Sequence, residues 1–211
     1  MSASPHPPLR VVRRAEDSPT GDLDLADALV AGEPWAATAT WNKHSPMVFR
    51  FLQRALGPTM DVEDLTQEVF VRVFSSVHAL RNRDALRSFV FSVAVRTLKW
   101  ELRRRHARRI FQPSAFEQLP ELPVAAVDAE SRQALRRFYA ILDRLGADER
   151  AAFVLRHLEG MKLEEVARTL GTSLATTKRR LARAAASVSR FVERDSALSH
   201  YGKIGGVVDA D

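Results

Sequence analysis

The chain has 211 residues, of which 45% are of hydrophobic type, a composition that supports one large or two small packed cores and argues against a disordered chain. Lysine and arginine number 32 against 26 aspartates and glutamates, and the resulting formal charge of +6 favours a polyanionic partner. The absence of cysteine excludes disulfide bonds, zinc–thiolate sites and thiol catalysis.

Residue usage also predicts the secondary structure and the location of the chain. Alanine, leucine and arginine are frequent and glycine is scarce, with nine residues, which predicts an all-α protein. No run approaches the roughly 18 apolar residues that a membrane span requires, and prolines stand where a signal peptide would be apolar. We therefore expect a soluble, cytoplasmic protein without membrane insertion.

The first half of the chain predicts an arm followed by a helical domain. Residues 1–22 are rich in proline and charge and are expected to form a flexible N-terminal arm. Residues 23–109 have helical periodicity, with glycine and proline breaks after the first and second apolar stretches. This pattern predicts a domain of four helices.

The third helix of this domain, over residues 61–74, has two contrasting faces. On a helical wheel the core-facing arc consists of Val62, Leu65, Val69, Phe70 and Val73. The opposite face is acidic and polar around one apolar residue, and it consists of Asp61, Asp64, Gln67, Glu68 and Val71. Such a face resembles a protein docking surface, whereas the alternative interpretation is an ordinary solvated face.

The fourth helix, over residues 88–109, combines aromatic and basic residues. Along one flank Phe89, Val93 and Trp100 are interleaved with Arg96 and Arg103, and more arginines follow. Aromatic rings beside guanidinium groups suit unstacked bases and a phosphate backbone. The alternative interpretation is that the aromatic residues belong to the core, and for Phe89 this alternative is favoured.

The segment that follows, residues 110–131, differs in composition from both flanking parts. It contains three prolines and four acidic residues and no lysine or arginine. This composition predicts a solvated linker that its prolines make stiff. The alternative is that its negative charge allows it to lie in a channel built for nucleic acid.

Residues 132–195 resume the helical pattern and contain a helix-turn-helix signature. The residues that follow, 196–211, are expected to form a flexible tail.

The helix-turn-helix signature consists of two apolar stripes and a turn. Two stripes are predicted to be buried, one of Leu163, Val166, Ala167 and Leu170, the other of Leu174, Thr177, Leu181 and Ala184. Between them Gly171 can adopt the positive φ of a tight turn. The second helix presents a face suited to the major groove, formed by Thr176, Lys178, Arg179, Ala182 and Arg183. The alternative is an ordinary helical hairpin with a solvated basic face.

Three segments occur in an order and spacing that resembles one protein family. They are DVEDLTQEVFVRVF, LRSFVFSVAVRTLKWELRRR and LDRLGADERAAFVLRHLEGMKLEEVARTLGTSLATTKRRLARA, and the likeness spans residues 23–192. This order resembles the extracytoplasmic-function (ECF) sigma factors of bacterial RNA polymerase. The resemblance implies a four-helix sigma domain two and a helix-turn-helix sigma domain four, joined by a flexible linker.

The resemblance also implies partners and roles. The implied partners are the polymerase core, through the largest-subunit clamp coiled coil and the flap, promoter DNA, and an anti-sigma factor. A monomer when free, without cofactor, metal or enzymatic activity, is expected. Core binding is implied for Asp61, Asp64, Gln67, Glu68 and Val71. Binding of the minus-ten element is implied for Phe89, Arg96, Lys99, Trp100, Arg103 and Arg104, with a flipped base held by the loop of residues 77–84. Binding of the minus-thirty-five element is implied for Thr176, Lys178, Arg179, Ala182 and Arg183.

Some positions depart from the family pattern. Phe89, Val90 and Phe91 stand where Trp-Leu-Tyr is frequent, and Arg96 replaces a small polar residue. The resemblance therefore leaves the minus-ten base preference open. The competing interpretation is a conventional helix-turn-helix regulator whose first domain senses a ligand or dimerises. An enzyme is not expected, because the chain has no phosphate-binding glycine loop and its histidines are scattered.

Overall fold

The computed structural model describes residues 21–57, 61–80, 82–111, 129–195 and 198, and within these ranges the regular structure is helical throughout. The α-helices are α1 (Asp22–Ala31), α2 (Pro34–Leu56), α3 (Asp61–Ser76), α4 (Leu86–Phe111), α5 (Ala129–Leu142), α6 (Ala147–Phe153), α7 (Leu163–Leu170) and α8 (Leu174–Arg194). Short 3-10 turns occur at Val77–Ala79 and Arg83–Ala85, and one π-helical turn at Val154–Leu158. Most of the predicted arm, linker and tail lies outside the described residues. The all-α prediction is confirmed.

The ends of the first helices follow from glycine and proline chemistry. Gly32 ends α1 with a φ of 73°, and its N–H donates to the carbonyl of Leu29 at 3.1 Å. Pro34 then begins α2, where a residue without an N–H loses no helical hydrogen bond. Gly57 follows α2 with a φ of 84°, in the region that favours glycine. The breaks expected from the sequence are therefore confirmed.

A first core joins the four N-terminal helices. The predicted inner arc of α3 is buried in full, namely Val62, Leu65, Val69, Phe70 and Val73. It packs with the fully buried Phe51 of α2 and Leu86 of α4. Burying one such side chain contributes roughly 1.5 to 3 kcal/mol, so this arc anchors α3 and directs its other face to solvent.

The first core continues into the C-terminal helices, a packing that the sequence did not predict. Ala151, Leu155 and Val166 are buried in the same cluster as the N-terminal helices. Arg150 of α6 is only 2% exposed; its Nε donates to the carbonyl of Ala55 at 2.7 Å. A cation is favourable there, because the last carbonyls of α2 carry partial negative charge. The two helical parts are thus in direct contact.

A second core holds the remaining helices together. Leu142 of α5, Phe153 of α6, and Ala184 and Val188 of α8 are buried in it. Leu198, from the segment expected to be a tail, is also buried in this cluster. Within the described ranges, no helix combines the length and apolar character needed to cross a membrane.

Candidate protein and nucleic-acid interfaces

The helix-turn-helix is formed by α7, a three-residue turn and α8. Gly171 has a φ of 64° and its N–H donates to the carbonyl of Arg168 at 3.1 Å. The hydroxyl of Ser173 accepts a hydrogen bond from the N–H of Thr176 at 3.2 Å, which caps α8. A left-handed glycine at the end of one helix and a serine cap at the start of the next produce the sharp turn expected from the sequence.

The predicted burial within this motif is confirmed for most of its residues. Val166, Ala167, Leu170, Thr177 and Ala184 are buried, and Leu163 and Leu181 are half-buried. Leu174, however, is 40% exposed, so its predicted burial was wrong. It is the first residue of α8, and this helix meets the core only one turn later, at Thr177.

The basic face of α8 points away from the core. Its exposed members are Lys178, Arg179, Ala182 and Arg183. Thr176, at the start of the helix, is half-buried; its hydroxyl accepts a hydrogen bond from Arg179 Nη2 at 3.3 Å. This contact holds one guanidinium group along the helix. The other basic side chains of this face, Lys178 and Arg183, are exposed to solvent.

The outer face of α3 is also presented as the sequence predicted. Asp61, Asp64, Gln67 and Val71 are exposed and Glu68 is half-buried; Val71 is 67% exposed. Two of the carboxylates have arginine partners, since Arg105 Nη2 lies 3.0 Å from Asp61 and Arg72 Nη2 lies 2.6 Å from Glu68. The structure therefore brings this set together around an apolar centre.

The aromatic flank of α4 is only partly at the surface. Trp100 is 46% exposed and Arg96 is exposed. Val93 is buried, which corrects the expectation that it lies at a surface edge, and Phe89 is half-buried against the first core, as the favoured alternative proposed. Both residues fall on the side of α4 that packs into the first core, because they follow the buried Leu86 at helical spacing.

A buried acid that was not predicted from the sequence organises the arginine cluster at the end of α4. Glu101 is 1% exposed and accepts hydrogen bonds from Arg104 Nε at 2.6 Å and Arg105 Nε at 2.8 Å. Burial by itself would raise the pKa of Glu101, but the bonds from the two arginines outweigh it and lower the pKa. The ionised carboxylate fixes both guanidinium groups. A glutamate three and four residues before two arginines is a signal that could have revealed this arrangement.

A second carboxylate, Asp148 of α6, connects the helical parts. It lies 2.5 Å from Lys99 Nζ, 3.3 Å from Arg103 Nη2 and 3.7 Å from Arg180 Nη1. Burial would raise the pKa of Asp148, but the ion pair with Lys99 and the other neighbouring cations lower it. Two cations of the predicted strand-binding set are therefore paired within the protein. No local pattern indicates this, because the partners lie far apart in sequence.

The loop predicted to hold a flipped base is described except for residue 81. The second of its 3-10 turns begins after Asn82, whose side-chain oxygen accepts a hydrogen bond from the N–H of Asp84 at 3.1 Å. His78, Asn82 and Asp84 are exposed, whereas Val77 and Leu80 are buried. The buried pair anchors the loop to the first core.

Two family models match this chain at the surfaces just described. Residues 40–108 match Sigma-70 region 2 and residues 135–188 match Sigma-70, region 4. These matches contain the acidic face of α3, most of α4 and the helix-turn-helix. A helical protein with both regions in this order is a sigma factor, a transcription initiation factor of RNA polymerase.

Comparison with individual proteins shows to which branch of the sigma factors the chain belongs. The chain is 31% identical to ECF RNA polymerase sigma factor SigE of Mycolicibacterium smegmatis, over 85% of this chain and 70% of that protein. It is also 31% identical to ferric citrate uptake sigma factor FecI of Escherichia coli, over 68% of this chain and 83% of FecI. The chain belongs to the ECF sigma factors, and its function is that of an RNA polymerase sigma factor. The interpretation as a conventional regulator is therefore set aside.

Solved structures share the fold. CnrH in complex with the cytosolic domain of CnrY matches with a TM-score of 0.59 at 23% identity, over 83% of this chain and 99% of CnrH. The sigma factor RpoE in complex with the anti-sigma factor NepR, from Bartonella quintana, matches with a TM-score of 0.54 at 21% identity, over 74% of this chain and 95% of RpoE. The helical architecture is thus that of known sigma factors.

Proposed function

We propose that three surfaces divide the work of initiation: the outer face of α3 binds the polymerase core, the exposed side of α4 holds the melted minus-ten strand, and the basic face of α8 binds the minus-thirty-five element. The observation that carries this assignment is the exposure of one apolar-centred acidic face and two cationic faces on a single helical chain. Opposite charge at separate surfaces suits a protein that bridges another protein and DNA.

The polymerase surface is an acidic rim around Val71. An exposed apolar side chain provides area to bury at an interface, and the carboxylates orient the partner. The residues assigned to it are Asp61, Asp64, Gln67, Glu68 and Val71, all on one side of α3. The clamp coiled coil of the largest subunit is the partner we propose for this surface, and the flap is the partner proposed for the C-terminal part.

The minus-ten surface centres on Trp100, whose half-exposed ring offers a stacking platform for an unpaired base. Cationic side chains beside it would bind the phosphates of the displaced strand. The residues assigned to this surface are Phe89, Arg96, Lys99, Trp100, Arg103 and Arg104. Phe89 contributes only the part of its side chain that the first core leaves accessible.

The minus-thirty-five surface is the part of α8 that enters the major groove. The guanidinium groups of Arg179 and Arg183 can each donate two hydrogen bonds to a guanine edge, and Ala182 between them allows close approach. Thr176 and Lys178 complete the assigned set at the start of the helix, where phosphate contacts are frequent.

The remaining assignments concern partners and organisation. We propose an anti-sigma partner, because a cavity of about 580 Å³ opens between the two helical parts and is lined in part by Met47, Phe91 and Met161. CnrH and RpoE, which share the fold, were solved with CnrY and with an anti-sigma factor. We further propose a monomer when free, acting in the cytoplasm, with the helical parts of residues 23–109 and 132–195 as its domains.

The experiment that tests this assignment compares wild type with Trp100→Ala in complex with core polymerase. We expect closed complexes to form normally and open complexes to decrease about 5- to 150-fold, since stacking on one base contributes about 1 to 3 kcal/mol. Leu135→Ala, at another exposed apolar residue, is the matched control. Normal promoter opening by a Trp100→Ala protein with reduced thermal stability would show that the ring is structural.

A further inference from the structure

The ring of Trp100 has two guanidinium neighbours from different helices. The Cζ atom of Arg72, on α3, lies 5.6 Å from the ring centroid, and that of Arg104, on α4, lies 5.2 Å away. Both distances are within the range in which a cation is attracted to the electron-rich face of an indole. The exposed ring is thus flanked by two charged groups, one from its own helix and one from α3.

Each of these guanidinium groups is itself held by a carboxylate. Arg104 is bound by the buried Glu101 of the same helix, at 2.6 Å. Arg72 is bound by Glu68, one turn earlier on α3, also at 2.6 Å. The Glu68–Arg72 pair is partly solvated, with side-chain exposures of 35% and 41%, and its main effect is therefore on orientation.

We propose that Arg72 is a positioning residue for promoter opening: it holds the Trp100 ring in the orientation that stacks on an unpaired base. The inference rests on the proposed function of Trp100. A half-exposed tryptophan on a helix samples several rotamers, and a fixed guanidinium group beside the ring reduces the entropy that binding would otherwise cost. Arg72 was not in the set of residues assigned from the sequence.

This arrangement also connects two surfaces. Glu68 belongs to the acidic face of α3, and its partner Arg72 contacts the aromatic residue of the strand-binding surface. Contacts made at Glu68 by the polymerase core therefore act on the same guanidinium group that orients Trp100. The connection consists of one ion pair and one cation–π contact, and each can be removed separately.

The test is a double-mutant cycle in reconstituted holoenzyme, with wild type, Arg72→Gln, Trp100→Ala and the double variant. Opening is followed by 2-aminopurine fluorescence in the minus-ten element, and core affinity is measured separately. We expect Arg72→Gln to reduce opening per bound polymerase about 2- to 30-fold, the range for losing a cation–π contact. In the Trp100→Ala background the same substitution should have no further effect.

Two more variants make the result specific. Arg72→Lys keeps a cation for Glu68 but lacks the planar group that stacks on a ring, so its effect should be intermediate. Arg136→Gln removes an exposed arginine of α5 that belongs to none of the assigned surfaces, and opening should remain normal. Circular dichroism of each protein confirms folding.

The outcomes distinguish the proposed function of Trp100 from the proposed positioning role of Arg72. Normal opening by Trp100→Ala would refute the proposed function of the ring itself. Reduced opening by Trp100→Ala, with no effect of Arg72→Gln or an equal effect in both backgrounds, would overturn the positioning role alone. A loss of core affinity by Arg72→Gln, with normal opening per bound enzyme, would identify Arg72 as a polymerase contact and also overturn it.

Discussion

Asp148 of α6 lies 2.5 Å from Lys99 Nζ of α4. A carboxylate of the C-terminal helices therefore forms an ion pair with a cation of the proposed minus-ten surface. Arg103 of α4 and Arg180 of α8 approach the same carboxylate. In this conformation the protein partly neutralises two cations of the proposed minus-ten surface. We therefore expect the free protein to bind promoter DNA weakly until the two helical parts separate.

Asp148→Asn tests this expectation. The neutral amide cannot form an ion pair, so Lys99 and Arg103 should become available and the affinity of the free protein for single-stranded minus-ten DNA should rise. The slope of log affinity against log salt should become steeper by about 0.7 to 1.4, for one or two added phosphate contacts. Fluorescence anisotropy at several salt concentrations measures this. Glu193→Gln, an exposed residue of α8, is the charge-matched control. An unchanged slope in Asp148→Asn would contradict the expectation.

The polymerase surface is tested most cleanly at Asp64. Asp61 and Glu68 each pair with an arginine, so their substitution would also disturb neighbouring surfaces, whereas Asp64 is exposed on the same face. Asp64→Lys should weaken core binding by about 1 to 3 kcal/mol, the scale for reversing a well-placed interface charge. Titration with core polymerase measures the effect, with Glu193→Lys as control. Wild-type affinity for core polymerase in the folded variant would show that this face of α3 is not part of the interface.

Base recognition by α8 predicts different behaviour for neighbouring cations. Arg183→Ala should relax preference at one or two upstream positions, at a cost of about 1 to 3 kcal/mol there. Lys178→Ala should instead weaken binding to all promoters about equally and reduce the salt slope by about one. Transcription from a library randomised in the upstream element distinguishes them. If both variants show wild-type preferences, these side chains contact the backbone only.

Stability should fall in mild acid because of His44. This side chain is buried, which lowers its pKa, and the opposing effect of Asp22, whose Oδ1 lies 3.4 Å from Nε2, does not compensate. Since the unfolded histidine binds a proton more readily, the unfolded state is favoured increasingly as the pH falls through about 6.5. The pKa of His157 is also lowered by burial, and this group acts in the same direction.

Urea unfolding at pH 7.5 and 5.5 measures this dependence. His44→Gln should reduce the difference between the two midpoints, whereas His106→Gln, at an exposed position of α4, should leave it unchanged. Asp22 does not interfere, because its lowered pKa places its own contribution to stability at a more acidic pH. Equal pH dependence in wild type and His44→Gln would show that another group is responsible.

The features that the sequence alone determined are local. The glycine and proline breaks around α1 and α2, the buried arc of α3, the turn at Gly171 and the exposed face of α8 were all predicted correctly. Each depends on helical periodicity or on the backbone preference of one residue, and both act between neighbours in the chain. The order and spacing of these local features were also sufficient to identify the family.

Only the tertiary structure decided which side chains contact each other across the chain. Val93 is buried where a surface was expected, Arg150 is enclosed at the end of α2, and Asp148 and Arg72 contact side chains of α4 that were assigned to DNA. These contacts join residues that are distant in sequence, and periodicity gives a helix its faces but not the partner that each face meets. Packing of the two helical parts supplies that partner, because burying apolar surface between them is what sets their relative position.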